Sequence, residues 1–226
     1  LNLEVTKDAT IALKTDAANN VVVKGAGNTD ITSSGVASID ASALTGTLTY
    51  ANDAAATTGI IGSSTAKNKL TLTSTGVTVT AITGSANDEV KLSAASAGTL
   101  NVTTGAGDDK VTVSAALTGK ATIDMGAGTN DTLVLANINA LAAAADDSSK
   151  VTLSGVETIV VNQNNTLFNN VLLDGKAYTI KTVNPYLLLT GNKKKKEKKK
   201  AKNDFKNIIT IQSYPERIIK SVEYIK

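Results

Sequence analysis

The stretch from Gly84 to Met125 reads GSANDEVKLSAASAGTLNVTT (84–104) and then GAGDDKVTVSAALTGKATIDM (105–125), two units of 21 residues. Each unit opens with a polar, glycine-rich turn and continues as a short strand in which apolar and polar residues alternate. A second small turn and a second alternating strand complete it. Alternation with a period of two, punctuated by glycine, is the sequence signal of β-strands. Two strands and two turns in 21 residues predict one coil of a parallel β-solenoid.

The same spacing recurs along much of the chain. Glycines follow one another at intervals of 21 residues at Gly84, Gly105 and Gly126. Near the start, Gly25 and Gly46 are also 21 residues apart, but only 16 residues separate Gly46 from Gly62, so the repeat slips there. An antiparallel β-sandwich is the alternative, although a sandwich does not require equal strand spacing. The spacing therefore favours an all-β, RTX-like solenoid or β-roll with about 21 residues per coil.

Composition changes divide the chain into three predicted parts. Residues 1–135 are interpreted as the repetitive solenoid. Residues 136–185 begin with an alanine-rich insertion, a short helix or loop, and continue as closing strands that include a hairpin turning at Asp174-Gly175. Residues 186–226 form a basic, low-complexity tail. The chain starts at Leu1 without an apolar signal stretch, which is consistent with a fragment.

The composition excludes several classes of site. The chain has no Cys and no His, which excludes disulfides, Cys/His zinc sites and Ser-His-Asp triads. No apolar window is long enough for a transmembrane helix. The sequence contains neither an HExxH motif nor a nucleophile elbow, so we expect that the protein is not an enzyme. A glycosidase with paired carboxylates is the remaining catalytic alternative, although aromatic residues for sugar stacking make up only 3% of the chain.

Carboxylates follow the glycine turns directly, as in TGAGDDKV (104–111) and TGSANDEV (83–90). These turns resemble the G-G-x-G-x-D-x-U-x nonapeptide of secreted calcium-binding β-rolls, with Asp88 and Asp109 at the aspartate position and without the first glycine. Ca²⁺ takes six to eight oxygen ligands, and stacked carboxylates repel unless a cation lies between them. A solvated polar turn is the alternative. The predicted calcium ligands are Asn87, Asp88, Gly105, Gly107, Asp108, Asp109 and Asp131, with Asp124 nearby.

A second resemblance lies further along the chain. The segment DTLVLANINALAAAADDSSKVTLSGVETIVVNQ (131–163) is similar to a recurring module of bacterial surface-layer proteins and of large adhesins exported by type I secretion. The matching residues are Asp131, Leu133 and Leu135, followed by the run SGVETI (154–159). The resemblance implies a secreted, extracellular protein at the cell surface, with a β-solenoid fold and lateral self-assembly.

Charge is distributed unevenly. Residues 1–190 carry 11 Lys and 16 Asp/Glu, whereas residues 191–226 carry 12 Lys/Arg and 4 Asp/Glu. Seven of the eight residues 193–200 are Lys. Such a run is usually solvated and disordered. It is also compatible with a misjoined end of the gene, or with a patch that binds phosphate or an acidic surface polymer such as polysaccharide or lipopolysaccharide. Specific nucleic-acid recognition is not expected, because no aromatic RNA-binding signature accompanies the run.

Together these patterns predict a structural subunit, or a fragment of one, of a secreted bacterial surface layer (S-layer) that self-assembles with calcium. Its main partner would be further copies of itself. The alternative is an adhesin or host-binding module of the same export class, whose ligand surface would lie on a long loop such as 136–150.

Overall fold

The computed structural model describes residues 1–52, 57–73, 77–93, 99–114, 120–136 and 151–161, together with the backbone of five later strands. Within this described part the structure is all-β. The strands are β1 (Asn2–Val5), β2 (Ala9–Gly25), β3 (Thr29–Leu44), β4 (Leu48–Ala51), β5 (Gly59–Ile61), β6 (Asn68–Leu72), β7 (Val79–Ile82), β8 (Glu89–Leu92), β9 (Leu100–Thr103), β10 (Lys110–Val113), β11 (Ala121–Asp124), β12 (Thr132–Leu135), β13 (Val151–Ser154), β14 (Thr158–Val161), β15 (Val171–Leu173), β16 (Tyr178–Thr182), β17 (Leu188–Leu189), β18 (Thr210–Ile211) and β19 (Ile219–Tyr224).

Successive coils stack in parallel, and each short strand pairs with the strand two places along the chain. Strands β4, β6, β8, β10, β12 and β14 form what we call the front sheet. Strands β5, β7, β9, β11 and β13 form the back sheet, and the long strands β2 and β3 contribute to both. Glu89 pairs with Lys110, 21 residues later. The predicted parallel β-solenoid is confirmed, with about six turns of roughly 20 residues each.

The core lies between the two sheets and consists of columns of stacked apolar side chains. One residue in two points inward, because side chains alternate along a strand. The front column contains Ile31, Tyr50, Leu70, Val90, Val111, Leu133 and Ile159, and the back column contains Val21, Ile39, Ile60, Ala81, Val102, Ile123 and Leu153. Burial of each larger side chain contributes about 1.5–3 kcal/mol before the entropic cost of folding. Columns of Val, Ile and Leu therefore hold the coils in register.

Glycines stack at one corner because the coils approach closely there. Gly105 and Gly126 have positive φ angles of 93° and 75°. A Cβ atom on Gly126 would collide with the carbonyl group of Gly105, and one on Gly105 would collide with the carbonyl group of Gly84. This contact explains the spacing of these three glycines in the sequence.

The slip in the repeat near the start comes from a shorter coil. Thr29 pairs with Leu48, only 19 residues later. A Cβ atom on Gly46 would meet the carbonyl group of Gly27, so these two glycines stack. The predicted equivalence of Gly25 and Gly46 is therefore wrong.

The closing strands continue the same stack. β15 pairs in parallel with β13, and β16 pairs in parallel with β14. The predicted hairpin between β15 and β16 is therefore wrong, because each strand stacks on the preceding coil. In the basic tail, β19 pairs in parallel with β16. The alanine-rich segment 137–150 and the lysine run 193–200 lie outside the described residues.

One coil contains extra residues. On the back sheet, Leu100 pairs with Ala121 after 21 residues, but Ala121 pairs with Val151 after 30. The front sheet shows a smaller jump, from Thr132 to Thr158. The stack thus continues through β13 and β14 despite the longer connection. Within the described residues, no helix is long and apolar enough to cross a lipid bilayer.

Candidate functional site

One corner of the solenoid carries a column of stacked polar side chains, which we call the inner ladder. Each member directly precedes a front strand, so that the column runs along the stack parallel to the core. Its members are Asn68, Asp88, Asp109, Asp131 and Glu157. The three aspartates are almost completely buried, each being at most 1% exposed. The structure therefore brings Asp88, Asp109 and Asp131 together in one buried column.

Each acid of the inner ladder binds the backbone of the preceding coil. Oδ1 of Asp88 accepts a hydrogen bond from the amide of Asn68 at 2.6 Å. Oδ1 of Asp109 does the same for the amide of Asp88, and Oδ1 of Asp131 for that of Asp109, both at 2.7 Å. Oε2 of Glu157 accepts from the amide of Asp131 at 3.0 Å. Hydrogen bonds to ionised acceptors contribute about 1.5–3 kcal/mol each.

The backbone geometry explains why acids occupy this position. The carbonyl group of Asp88 accepts a bond from the amide of Lys110, and that of Asp109 from the amide of Thr132, so the regular ladder uses these carbonyl groups. The amides of Asp88 and Asp109 instead face the side chain from the next coil. A buried amide without an acceptor is costly. A short acidic side chain from the following coil supplies that acceptor.

The second carboxylate oxygens divide the inner ladder into two parts. Oδ2 of Asp88 accepts from the amide of Gly84 at 3.2 Å, and its Oδ1 also accepts from Nδ2 of Asn68 at 3.0 Å. By contrast, Oδ2 of Asp109 and Oδ2 of Asp131 are buried and have no hydrogen-bond partner among the described residues. Asp88 is thus fully satisfied, whereas the next two rungs each leave one oxygen without a donor.

Electrostatics at these two rungs disfavours full ionisation. Burial raises the pKa of Asp131 to about 6, and the neighbouring charges of Asp109 and Glu157 add to the shift. Burial likewise raises the pKa of Asp109, with smaller contributions from Asp88 and Asp108. Adjacent rungs of a parallel sheet lie only about 4.8 Å apart, so the carboxylates repel one another. A proton or a bound cation would relieve this repulsion.

Asn87 and Asp108 belong to a different column at the exposed side of the same corner. Oδ1 of Asn87 accepts from the amide of Asp108 at 3.0 Å. Oδ1 of Asp108 in turn accepts from the amides of Thr129 and Asn130 at 3.2 and 3.1 Å. Hydrogen bonds, the largest from the side chain of Asn130, hold the pKa of Asp108 below its usual range. This outer ladder bonds towards the following coil, opposite to the inner ladder.

The two predicted glycine ligands shape the turn. Gly105 and Gly107 have φ angles of 93° and 112°. The carbonyl group of Gly105 accepts from the amide of Ala127 at 2.7 Å and so joins the coils. Gly128 packs against the carboxylate of Asp131, where a Cβ atom would collide with both oxygens. Glycine at this point makes room for the buried acid.

Sequence reasoning missed both ends of the inner ladder. Asn68 occupies the aspartate position of a coil whose turn contains no acid, and Glu157 lies in the SGVETI motif. The bond between Glu157 and Asp131 joins the two halves of the surface-layer resemblance as neighbouring coils. The first coils show a related pattern on the outer side, where Oδ1 of Asp8 accepts from the amide of Asn28 at 2.9 Å. Position within the coil, rather than residue type, was the available signal.

The residues fit calcium in part. The unpartnered oxygens of Asp109 and Asp131 lie on adjacent rungs and are of the hard donor type that Ca²⁺ prefers. They supply only two of the six to eight oxygens required, so backbone carbonyl groups or water would have to provide the rest. Among the described residues, no group of three or more acidic side chains is arranged to hold a metal ion. Calcium at this corner stays a prediction.

Comparisons with known proteins add no relative from which a role could be transferred. The chain matches no known protein family, no curated protein and no solved structure. Function must therefore be argued from the residues and their geometry.

Proposed function

We propose that this chain is a structural segment of a secreted bacterial surface layer, a rigid solenoid that self-assembles laterally with calcium. The observation that carries the calcium part is the pair of buried, unpartnered carboxylate oxygens of Asp109 and Asp131. Their environment disfavours two neighbouring charges, and a divalent cation between the coils would neutralise both. Placement at the cell surface rests on the resemblance of residues 131–163 to surface-layer modules.

The solenoid itself suits a structural role. Its stacked coils present two long, flat sheets, and repetition of this kind gives extended surfaces on which copies can associate. The described side chains of the inner ladder are used to connect coils through their backbone amides. A cation bound there would tighten the stack and so favour regular association of its faces.

The test is a calcium titration of the purified chain, followed by calorimetry, light scattering and electron microscopy. We expect millimolar Ca²⁺ to raise the melting temperature and to produce ordered sheets, whereas Mg²⁺ at the same concentration does so weakly. A ligand present at 100 times its Kd stabilises the folded state by about 2.7 kcal/mol. The double variant D109N/D131N should lose the response, and the exposed variant D108N should retain it.

Two outcomes would count against the proposal in different ways. Unchanged melting in calcium would remove the cation, and the acids would then be structural only. Calcium-dependent stabilisation with a monomer at every concentration would keep the cation but remove the lattice. Binding of such a monomer to host cells or glycans would favour the adhesin alternative.

A further inference from the structure

A cluster of lysines on the front sheet is the strongest charged feature of the described surface. Lys69, Lys91 and Lys110 point outward on three consecutive coils, and Lys67 lies at the turn before Lys69. Glu89 is the single acid among them. We call these five residues the lysine face. It carries a net charge of +3 on a body whose residues 1–190 are net negative.

Three of these lysines have no acidic partner. Nζ of Lys67 binds Oε1 of Glu89 at 2.8 Å, and this bond is the main reason why the pKa of Glu89 is lowered. Among the described residues, no carboxylate lies within 4.0 Å of the ammonium groups of Lys69, Lys91 and Lys110. The pair thus accounts for one lysine and leaves three exposed positive charges.

The spacing of the three free lysines is fixed by the sheet. Lys69 and Lys110 lie two rungs apart, a separation of about 9.6 Å between backbones. Lys91 lies between them and is displaced by two residues, about 6.7 Å, along the strand direction. Half-buried Thr71 and Thr112 lie next to Lys69 and Lys110 on the same face and offer hydroxyl groups. This arrangement is flat and extended, which suits a chain with repeated anionic groups better than a single small anion.

The surroundings select the kind of polymer. The described part of this face has no exposed aromatic residue, since Tyr50 is buried, so the base stacking that supports single-stranded nucleic-acid binding is absent there. Exposed large apolar residues such as Ile61 and Ile82 lie on the back sheet, which leaves the lysine face without side chains to insert into a membrane. We propose that the lysine face binds an acidic polysaccharide, with ammonium groups pairing with its anions and threonine hydroxyls contacting its sugars.

The proposal does not rest on the calcium-dependent lattice, because a monomeric solenoid without metal would present the same face. It also differs from binding by the tail, whose lysines lie far along the sequence. The tail must nevertheless be controlled for, since seven lysines at 193–200 would attract any polyanion.

The experiment measures binding of the full chain to immobilised polygalacturonate at low salt, with neutral dextran as the control polymer. All chains carry glutamine at the seven tail lysines. The face variant adds K69Q/K91Q/K110Q, and the matched control adds K7Q/K14Q/K120Q, which removes three exposed lysines elsewhere. Circular dichroism and melting temperature verify that each chain is folded.

We expect the face variant to bind polygalacturonate about 10-fold to 30-fold more weakly than its parent, the effect of losing three exposed charge contacts. The matched control should change by less than about threefold, and raising the salt should weaken binding by the parent. An equal loss in both variants would show that net charge alone is responsible, and would overturn the proposal. So would loss of all binding on tail substitution, or equally strong binding of single-stranded DNA that depends on the same three lysines.

Discussion

The carboxylate of Glu157 binds the backbone amide of Asp131 at 3.0 Å, although 26 residues separate them. This bond closes the inner ladder at its C-terminal end and continues the pattern of Asp109 and Asp131. It places the longest coil of the described stack in register with its neighbour. The same corner therefore determines both how the coils join and where charge accumulates.

Replacement of Glu157 separates these two effects. Glu157→Ala leaves the amide of Asp131 without its acceptor and should lower the free energy of unfolding by about 1–3 kcal/mol at pH 7. Glu157→Gln keeps an acceptor and removes a charge that raises the pKa of Asp131, so its cost should be smaller. Urea unfolding measures both, with the exposed substitution Thr122→Ala as the control. Equal losses in the two variants would contradict the hydrogen-bond role.

Stability should depend on the ionisation of Asp131. Its pKa is about 6 in the folded protein, against 3.8 when unperturbed, so the folded state holds the additional proton between these pH values. The stabilisation is therefore complete below about pH 4 and is lost as the pH rises through 6, by up to about 3 kcal/mol. Unfolding measured from pH 4 to pH 7 without calcium should show this decrease, and Asp131→Asn should flatten it.

Asp108 gives the opposite dependence and so serves as an internal comparison. Its pKa is lowered by hydrogen bonds from the side chain of Asn130 and from the amide of Thr129, so its contribution is present at neutral pH. It should be lost as the pH falls below about 4. Asp108→Asn should leave the decrease between pH 4 and pH 6 intact. A flattened profile in this variant would show that the slope does not come from the inner ladder.

Extending the acidic column by one rung should destabilise the solenoid. Nδ2 of Asn68 donates to the carbonyl groups of Ser63 and Ala66 and to Oδ1 of Asp88. Asn68→Asp removes these donors and sets a second carboxylate beside Asp88, which should cost about 3 kcal/mol at pH 7 and less at pH 4. Thermal melting at both pH values tests this, with the exposed Asn20→Asp as the matched change. A neutral effect at Asn68 would mean that the corner tolerates charge.

Stacked glycines should resist substitution according to their contacts. Gly126→Ala places a Cβ atom against the carbonyl group of Gly105 at a φ of 75°, and we expect a loss of about 3 kcal/mol or more. Gly59 has only Cβ of Ser38 within 4 Å, at 3.6 Å, and no positive φ. Gly59→Ala should therefore be neutral or stabilising by about 0.4–1 kcal/mol. Calorimetry of the two variants makes the comparison, which a similar loss in both would defeat.

The fold was predictable because alternation and glycine spacing report the coil directly. The equal intervals between Gly84, Gly105 and Gly126 correspond to a real stack, and the apolar members of each strand are the core columns. The strand pairing near Gly46 and around β15 was not predictable in the same way. A coil of 19 residues and a parallel strand after Asp174-Gly175 depend on which earlier backbone lies beneath them, and local turn preference does not contain that information.

The candidate site was predictable only as a group of positions. Residue type identified acids near the turns, and the structure separates buried Asp88, Asp109 and Asp131 from exposed Asn87 and Asp108. Adjacent residues on a strand point to opposite sides, so neighbours in the sequence joined different columns. That Asp88 is fully bonded while Asp109 is not depends on single amide and side-chain positions in the neighbouring coil, which no sequence pattern encodes.

The 30-residue step from Ala121 to Val151 shows that the architecture absorbs an unequal segment between residues 136 and 151 without losing the alignment of β11 with β13. Additional length at that junction loads no rung of either sheet, because pairing resumes at Val151 in the same register. A foreign epitope spliced into the connection would consequently be displayed once per molecule, at a point where the scaffold neither needs the native residues for pairing nor opposes their replacement.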